Sequence, residues 1–309
     1  MAVLLRQPRN ENTKQMIIVC LKGGLGNQMF QYAAGRRLAY LHNVPLKLDL
    51  SWFDDNLSGV TPRSYALGHF SIHAEPATDQ EISQLYEPQP DRIRHLLNFI
   101  NPCYRKTHIR EQNFYFDPAI LQLPDNIFLD GYWQSEKYFR HIAPVIRDEF
   151  TVRSEPVGRN RELMSTINGC NAISIHFRRG DYVTDAKNVT RYGEYSNDYY
   201  MRAVELVTLR VDRPHFFVFS DDPAWVREHL TISHTMTQVD HNGPGKAYED
   251  LRLMSLCRHH IIANSSFSWW GAWLNPRPDK VVIAPSRWFN DIAFDTSDLI
   301  PASWLRVSV

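Results

Sequence analysis

Apolar and polar positions follow two different periods along this chain. MIIVCL (16–21) is a continuous apolar run of strand length. After KGGLGN, the residues Met29, Phe30, Ala33, Ala34, Leu38 and Leu41 recur at helical spacing until about His42. LKLDL (46–50) predicts a second strand, so the chain opens as a strand, a glycine turn, a helix and a strand. Residues 51–121 hold no sustained period and predict loops with short helices. NIFLD (126–130) predicts another strand, GYWQSEKYF follows it, and a helical stretch reaches about Phe150. TVRSEPVGRN (151–160), polar with Pro and Gly, reads as a domain boundary.

The second half alternates more regularly. A strand over 172–177 precedes a helix expected from about Asn197 to Arg210, and HFFVFS (215–220) is the next strand. Asp222 followed by Pro223 marks a helix start, because an N-cap carboxylate accepts an orphan amide and the fixed φ of proline suits the first helical position. A short strand near Val239, a loop with GPG, a helix over 248–258, strand HIIAN (260–264), a helix over 267–274 stopped by Pro276 and strand KVVIA (280–284) complete the series. This order predicts an α/β architecture with parallel sheets covered on both faces. Ligands of such sheets sit beyond the carboxyl ends of the strands. HFRRGD, SDD and NSSFS all fall there.

A chain of 309 residues has room for two domains around a cleft. The expected division is a flexible extension over 1–15, an N-terminal domain over 16–155 and a C-terminal domain over 156–309, with the tail 291–309 free to pack back on the first. Lys+Arg and Asp+Glu stand at 34 each, so no global field draws in nucleic acid or an anionic membrane. A charged ligand has to be met locally. The four cysteines form no CxxC pair, which favours a reducing compartment. No apolar run reaches the ~18 residues of a membrane span, and MAVLLRQPRNENTKQ has no signal-peptide core. A soluble cytoplasmic protein is expected.

Arg178 and Arg179 keep their charge at any physiological pH, and at a strand end they call for an anion; phosphate matches the guanidinium fork. Pairing with Asp181 and one other carboxylate on the surface accounts for RRGD equally well. In the turn Asn264, Ser265, Ser266, Phe267 and Ser268, backbone amides and hydroxyls at a helix start suit an anion, whereas a plain cap explains the same residues. Trp269, Trp270 and Trp273 read as packing. Asp221 and Asp222 could hold Mg²⁺ on a diphosphate, but Asp222 has a capping task and two arginines can neutralise a diphosphate without metal. One of the pair is then free to accept hydrogen bonds from a base. KGGLGNQMF is no Walker loop. It partly fits a dinucleotide fingerprint through Gly24, Gly26 and Asp49, but Met29 stands where the third glycine belongs. Gly24 and Gly26 are then expected to let the backbone approach a ligand across the cleft, with Asn27 as a polar contact or as a cap.

GGLGNQMFQYA (23–33), GYWQSEKYF (131–139), IHFRRGDYV (175–183), FSDD (219–222) and ANSSFSWWGAWL (263–274), in this order, resemble the α-1,2-fucosyltransferases of glycosyltransferase family 11. The resemblance implies a GT-B-like pair of Rossmann-like domains, GDP-L-fucose as co-substrate held mainly by the C-terminal domain, no metal, and inverting transfer to the 2-OH of a terminal galactose on an oligosaccharide or lipid-linked glycan. Peripheral contact with a membrane is compatible with a lipid-linked acceptor. By the same resemblance Arg178 binds the donor with support from Arg179 and His176. Asp221 or Asp222 reads guanine, Asn264 to Ser268 contact the diphosphate, and Gly24, Gly26 and Asn27 form the N-terminal face of the donor site. Asp181 stays open between general base and brace. A catalytically inactive nucleotide-sugar binder, another nucleotide-sugar transferase and, more remotely, an NAD-dependent dehydrogenase are the alternatives.

Overall fold

The computed structural model describes residues 15–54, 62–86, 107–180, 197–290 and 294–309. Of the N-terminal extension expected over 1–15, residues 1–14 lie outside them. Two sheets organise the chain. The first contains β1 (Ile17–Cys20), β2 (Leu46–Asp49), β3 (Glu75–Pro76), β4 (His108–Arg110) and β5 (Ile127–Asp130), in the order β3-β2-β1-β5-β4. The second contains β6 (Asn171–Phe177), β7 (Pro214–Ser220), β8 (Thr235–Val239), β9 (His259–Ile261), β10 (Val282–Pro285) and β11 (Leu305–Val307), in the order β11-β10-β9-β6-β7-β8. The strand pairings within both sheets are parallel.

The second sheet reverses direction once, and the first follows a different path. In the first, the chain steps outward from β1 to β2 and β3, crosses to β4 at the far edge and steps back to β5, which lies between β4 and β1. In the second it steps from β6 to β7 and β8, then returns to pair β9 with β6. The connections from the two strands flanking such a reversal diverge to opposite faces, leaving a crevice at their carboxyl ends.

Eight described α-helices connect the strands: α1 (Leu25–His42), α2 (Asp79–Leu85), α3 (Ala143–Glu149), α4 (Arg159–Asn168), α5 (Asn197–Thr208), α6 (Pro223–His229), α7 (Ala247–Leu256) and α8 (Ser266–Leu274). α1 begins four residues before its first periodic apolar position and ends on Asn43, whose φ of 53° supplies the left-handed turn usually given to glycine. Asp222 caps α6 as its sequence predicts, accepting from Trp225 N at 3.1 Å with Pro223 in the first turn.

SFSWWGAWL is apolar on nearly every side of α8 because protein surrounds it. Phe30 of α1 packs on Trp269 and Trp270 at ring-centroid distances of 4.5 and 5.0 Å, and Phe139 stacks on Trp270 at 5.3 Å. One apolar core runs from β1, β2, β5 and α1 through α8 to Leu299, Ile300 and Trp304. The chain's end serves both halves: β11 extends the second sheet, whereas Asp298 accepts from Phe116 N, pairs with Lys137 and receives the Ser135 hydroxyl on its backbone oxygen.

Candidate active site

Strand order brings the polar clusters of the second half together. β6 lies between β9 and β7, so the segments after the three strands, HFRRGD, SDD and the Asn264–Ser268 turn, leave neighbouring carboxyl ends at the reversal of the sheet. His176 and Phe177 are paired in register with Phe219 and Ser220, which sets the two arginines beside the two aspartates.

Arg178 Nη1 lies 2.7 Å from Asp221 Oδ2, and the other oxygen of Asp221 accepts from the Arg179 amide at 2.8 Å. One carboxylate therefore holds both the guanidinium and the backbone of the turn. Gly180 makes this possible: a Cβ there would stand 2.5 Å from Asp221 Oδ2. Arg179 turns the other way. Its guanidinium lies 4.0 Å from the Trp225 ring centroid, and its Nε is 3.5 Å from Asp222. Asp222 in turn gives its Oδ1 to the α6 cap. All four carboxylate oxygens of the aspartate pair thus face protein partners, whereas the sequence left one of the two free for a base; reading guanine with either would require an exchange of partners.

His176 is buried at 5% exposure, with its ring 5.6 Å from that of Phe267, at the start of α8. Burial pushes its pKa down to about 4, with Asp221 acting against the shift and Arg178 adding to it, so the imidazole is neutral at pH 7. Its Nδ1 has no hydrogen-bond partner among the described residues. A buried orphan nitrogen is rare in a finished interior, and here it lies beside the arginine motif. The Tyr200 ring packs on Phe177 at 3.9 Å, and its hydroxyl takes a backbone hydrogen bond from Arg178.

The turn before α8 divides its tasks. Ser268 is fully buried and donates to Ser265 O at 3.2 Å, and Asn264 donates to Trp288 O at 3.1 Å. Ser266 instead reaches the first half of the chain, donating to Asn27 Oδ1 at 2.8 Å, where Gln134 Nε2 also donates at 2.9 Å. Asn27 is therefore a bridge, and the cap of α1 is Gly24, in extended conformation. Gly26 makes its close approach to protein: a Cβ would meet Phe267 N and Ser266 C at 2.5 Å, and its carbonyl accepts from Trp270 Nε1 at 3.0 Å. Gly24 has more room, with Arg63 Nε 3.9 Å from the place of its Cβ.

The arrangement brings His176, Arg178, Arg179, Asp221, Asp222 and the turn 264–268 into one region, joined to Gly26 and Asn27. Asp181 lies outside the described residues. Gln134, Gly180 and Trp225 escaped the sequence reading. GYWQS was visible as a motif, and RRGD contains the glycine, but only the fold shows what either contacts. Among the described residues no group of three His, Cys, Asp or Glu side chains is placed to hold a metal ion, and no helix is long and apolar enough to cross a membrane.

Two parallel sheets with polar clusters at their carboxyl ends define an α/β fold of the GT-B type, the class that includes sugar-nucleotide transferases. The fucosyltransferase NodZ from Bradyrhizobium shares it: its structure matches with a TM-score of 0.51 at 16% identity, covering 92% of this chain and 97% of that one. The model of glycosyl transferase family 11 matches residues 88–307, and the chain belongs to that family. An alpha-1,2-colitosyltransferase of Escherichia coli is 31% identical across 94% of this chain and 99% of its own. The galactoside 2-alpha-L-fucosyltransferase Sec1 of Mus musculus is 27% identical across 86% of this chain and 66% of its own.

Proposed function

We propose that this glycosyltransferase moves L-fucose from GDP-L-fucose to the 2-hydroxyl of a terminal galactose, with inversion at the anomeric carbon. The observation that carries the reading is Arg178, held by Asp221 at the end of the central strand β6 and next to the buried His176. Membership of family 11 and the activities named for the two relatives support it. The acceptor oxygen bonds to C1 of fucose, the bond from C1 to the β-phosphate oxygen breaks, and its electron pair leaves with GDP. Charge grows on the diphosphate as that bond breaks, so a guanidinium fixed there in advance stabilises the transition state more than the ground state. Arg179, stacked on Trp225, supports the turn.

His176 is neutral, so it can present one ring nitrogen as a donor and the other as an acceptor to the nucleotide. The turn from Asn264 to Ser268 supplies amides to the diphosphate, and Gly24, Gly26 and Asn27 close the site from the first half. The acceptor's proton passes to a base or to solvent. Asp181 is assigned either that proton or the bracing of the arginines, and the pH dependence of an Asp181→Asn variant separates the two. The same reading places the enzyme in the cytosol of a bacterium, in keeping with its E. coli relative.

Incubation with GDP-fucose and lactose tests the proposal. The expected result is GDP and an α-1,2-fucosylated product at a rate unaffected by EDTA, with transfer lost in Arg178→Ala while its melting temperature holds. Near-normal turnover in that variant would overturn the assignment. A second donor sugar, colitose, is favoured by the bacterial relative's name; competition between the two GDP-sugars decides between them.

A further inference from the structure

Where the chain passes from its first half to its second, over residues 151–156, a cavity of about 380 Å³ opens. Small-molecule sites occupy roughly 300–1,000 Å³. Phe70 and Phe150 from the first half and Leu251, Leu256 and Leu274 from the second line it, and Phe70, Phe150 and Leu251 are buried. α8 separates this space from the arginine site. The helix starts in the Asn264–Ser268 turn and reaches the cavity with Leu274, the last of its nine residues, about 13 Å farther on.

Two guanidinium groups line the same space, and they are not alike. Arg252 has Glu249 3.5 Å from its Nε and donates to Ser154 O. Arg147 has no carboxylate within ion-pair distance among the described residues. Its partners there are the Trp273 carbonyl, 3.4 Å from both Nε and Nη2, and the Trp273 ring, whose centroid lies 4.4 Å from Cζ. Those hydrogen bonds are long for N–H···O, and Nη1 makes none to the described residues. Glu136 acts on Arg147 from farther off and accepts from the Trp273 indole at 3.0 Å. Glu155 also lines the cavity, from an exposed position. Burial pulls the pKa of Arg147 down, as it does for a desolvated cation short of a counter-charge.

We infer that this cavity binds a small carboxylate with an apolar body, the carboxylate on Arg147 and the body against Phe70, Phe150 and Leu251. A planar guanidinium with donors to spare matches a carboxylate. One uncompensated cation suits a single negative charge better than the two of a phosphate. The apolar wall rewards a ligand that brings apolar surface of its own, about 25 cal/mol for each Å² it buries. Such a ligand touches both halves of the chain, since Arg147, Phe70 and Phe150 belong to the first and Leu251 to the second. By binding the folded state alone it raises the melting temperature. The site stands apart from the donor site and does not rest on the fucosyl-transfer reading.

Calorimetric titration of the full chain with octanoate tests this, with acetate and octanol supplying the anion and the apolar body separately. Octanoate should bind at least about 10-fold more tightly than either control and should raise the melting temperature. Arg147→Gln should weaken octanoate about 10- to 100-fold and leave octanol unchanged. Ser255→Leu puts a larger side chain into the cavity from α7. It should abolish octanoate binding and covers the case in which the first variant folds poorly. GDP affinity in Ser255→Leu should stay within about twofold of wild type, as for two sites without shared partners. No octanoate binding at millimolar concentration, equal binding to wild type and Arg147→Gln, octanol binding as tightly as octanoate, or competition between octanoate and GDP would each overturn the inference.

Discussion

Arg178 is useful because its geometry is fixed before substrate arrives, and two residues fix it. Asp221 binds the guanidinium, and Gly180 makes room for Asp221. Lysine at 178 would keep the charge but lose the planar fork, so Arg178→Lys should lower kcat by about 100- to 1000-fold without changing the melting temperature. Gly180→Ala should act in the same direction through displacement of Asp221, and kcat should suffer more than GDP affinity. The sequence made the arginines and aspartates visible as candidates. It could not show that Asp221 belongs to Arg178, because 42 residues separate Arg179 from the aspartate that holds its amide.

At the scale of elements, the junction between α1 and α8 joins the two halves of the site. Gly26→Ala should destabilise the protein by about 1–3 kcal/mol, because its Cβ would press on the backbone of Ser266 and Phe267, which cannot give way as a side chain can. Thermal melting reads this directly. β6 and β9 carry a second liability, since His176 and His260 are buried and burial lowers the pKa of both. His260 is held as a neutral ring between Ser174 at 2.8 Å and the Asn275 amide at 2.9 Å.

A base whose folded pKa is lowered binds its proton more readily when unfolded, so stability is full above the ordinary histidine pKa of 6.5 and falls as pH drops toward about 4. For His176 the span amounts to about 3 kcal/mol. Urea denaturation between pH 4 and pH 7 should show that slope, flattened in His260→Asn. In the second sheet β6, β7, β9 and β10 were legible because their apolar runs end in cap or turn residues. β3, β4 and β11 were not, being edge strands of two or three residues whose only support is a neighbour distant in sequence.

The molecule as a whole has two sheets, and its main apolar core draws on both halves. Trp269, Trp270 and Trp273 leave the second half of the sequence and fill the first, so the first sheet has no complete interior without them, while the second sheet also has clusters of its own around Ile175 and Phe217. Heating should therefore give a single cooperative transition by calorimetry; two separated transitions would contradict a shared core. Trp270→Ala should cost about 3–5 kcal/mol and lower that one transition. The packing role of these tryptophans was readable from their size and setting, but their partners were not, since no local pattern announces that Trp270 Nε1 donates to Gly26 O across 244 residues.

Central to this account is Arg178 acting on the leaving diphosphate. Product analysis by NMR after incubation with GDP-fucose and lactose, run side by side for wild type and Arg178→Ala, is the most direct test. Wild type should give an α-1,2-linked fucosyl product and free GDP, and the variant should fold normally but form neither. Equal product from both proteins, or a β-linked product from wild type, would contradict it.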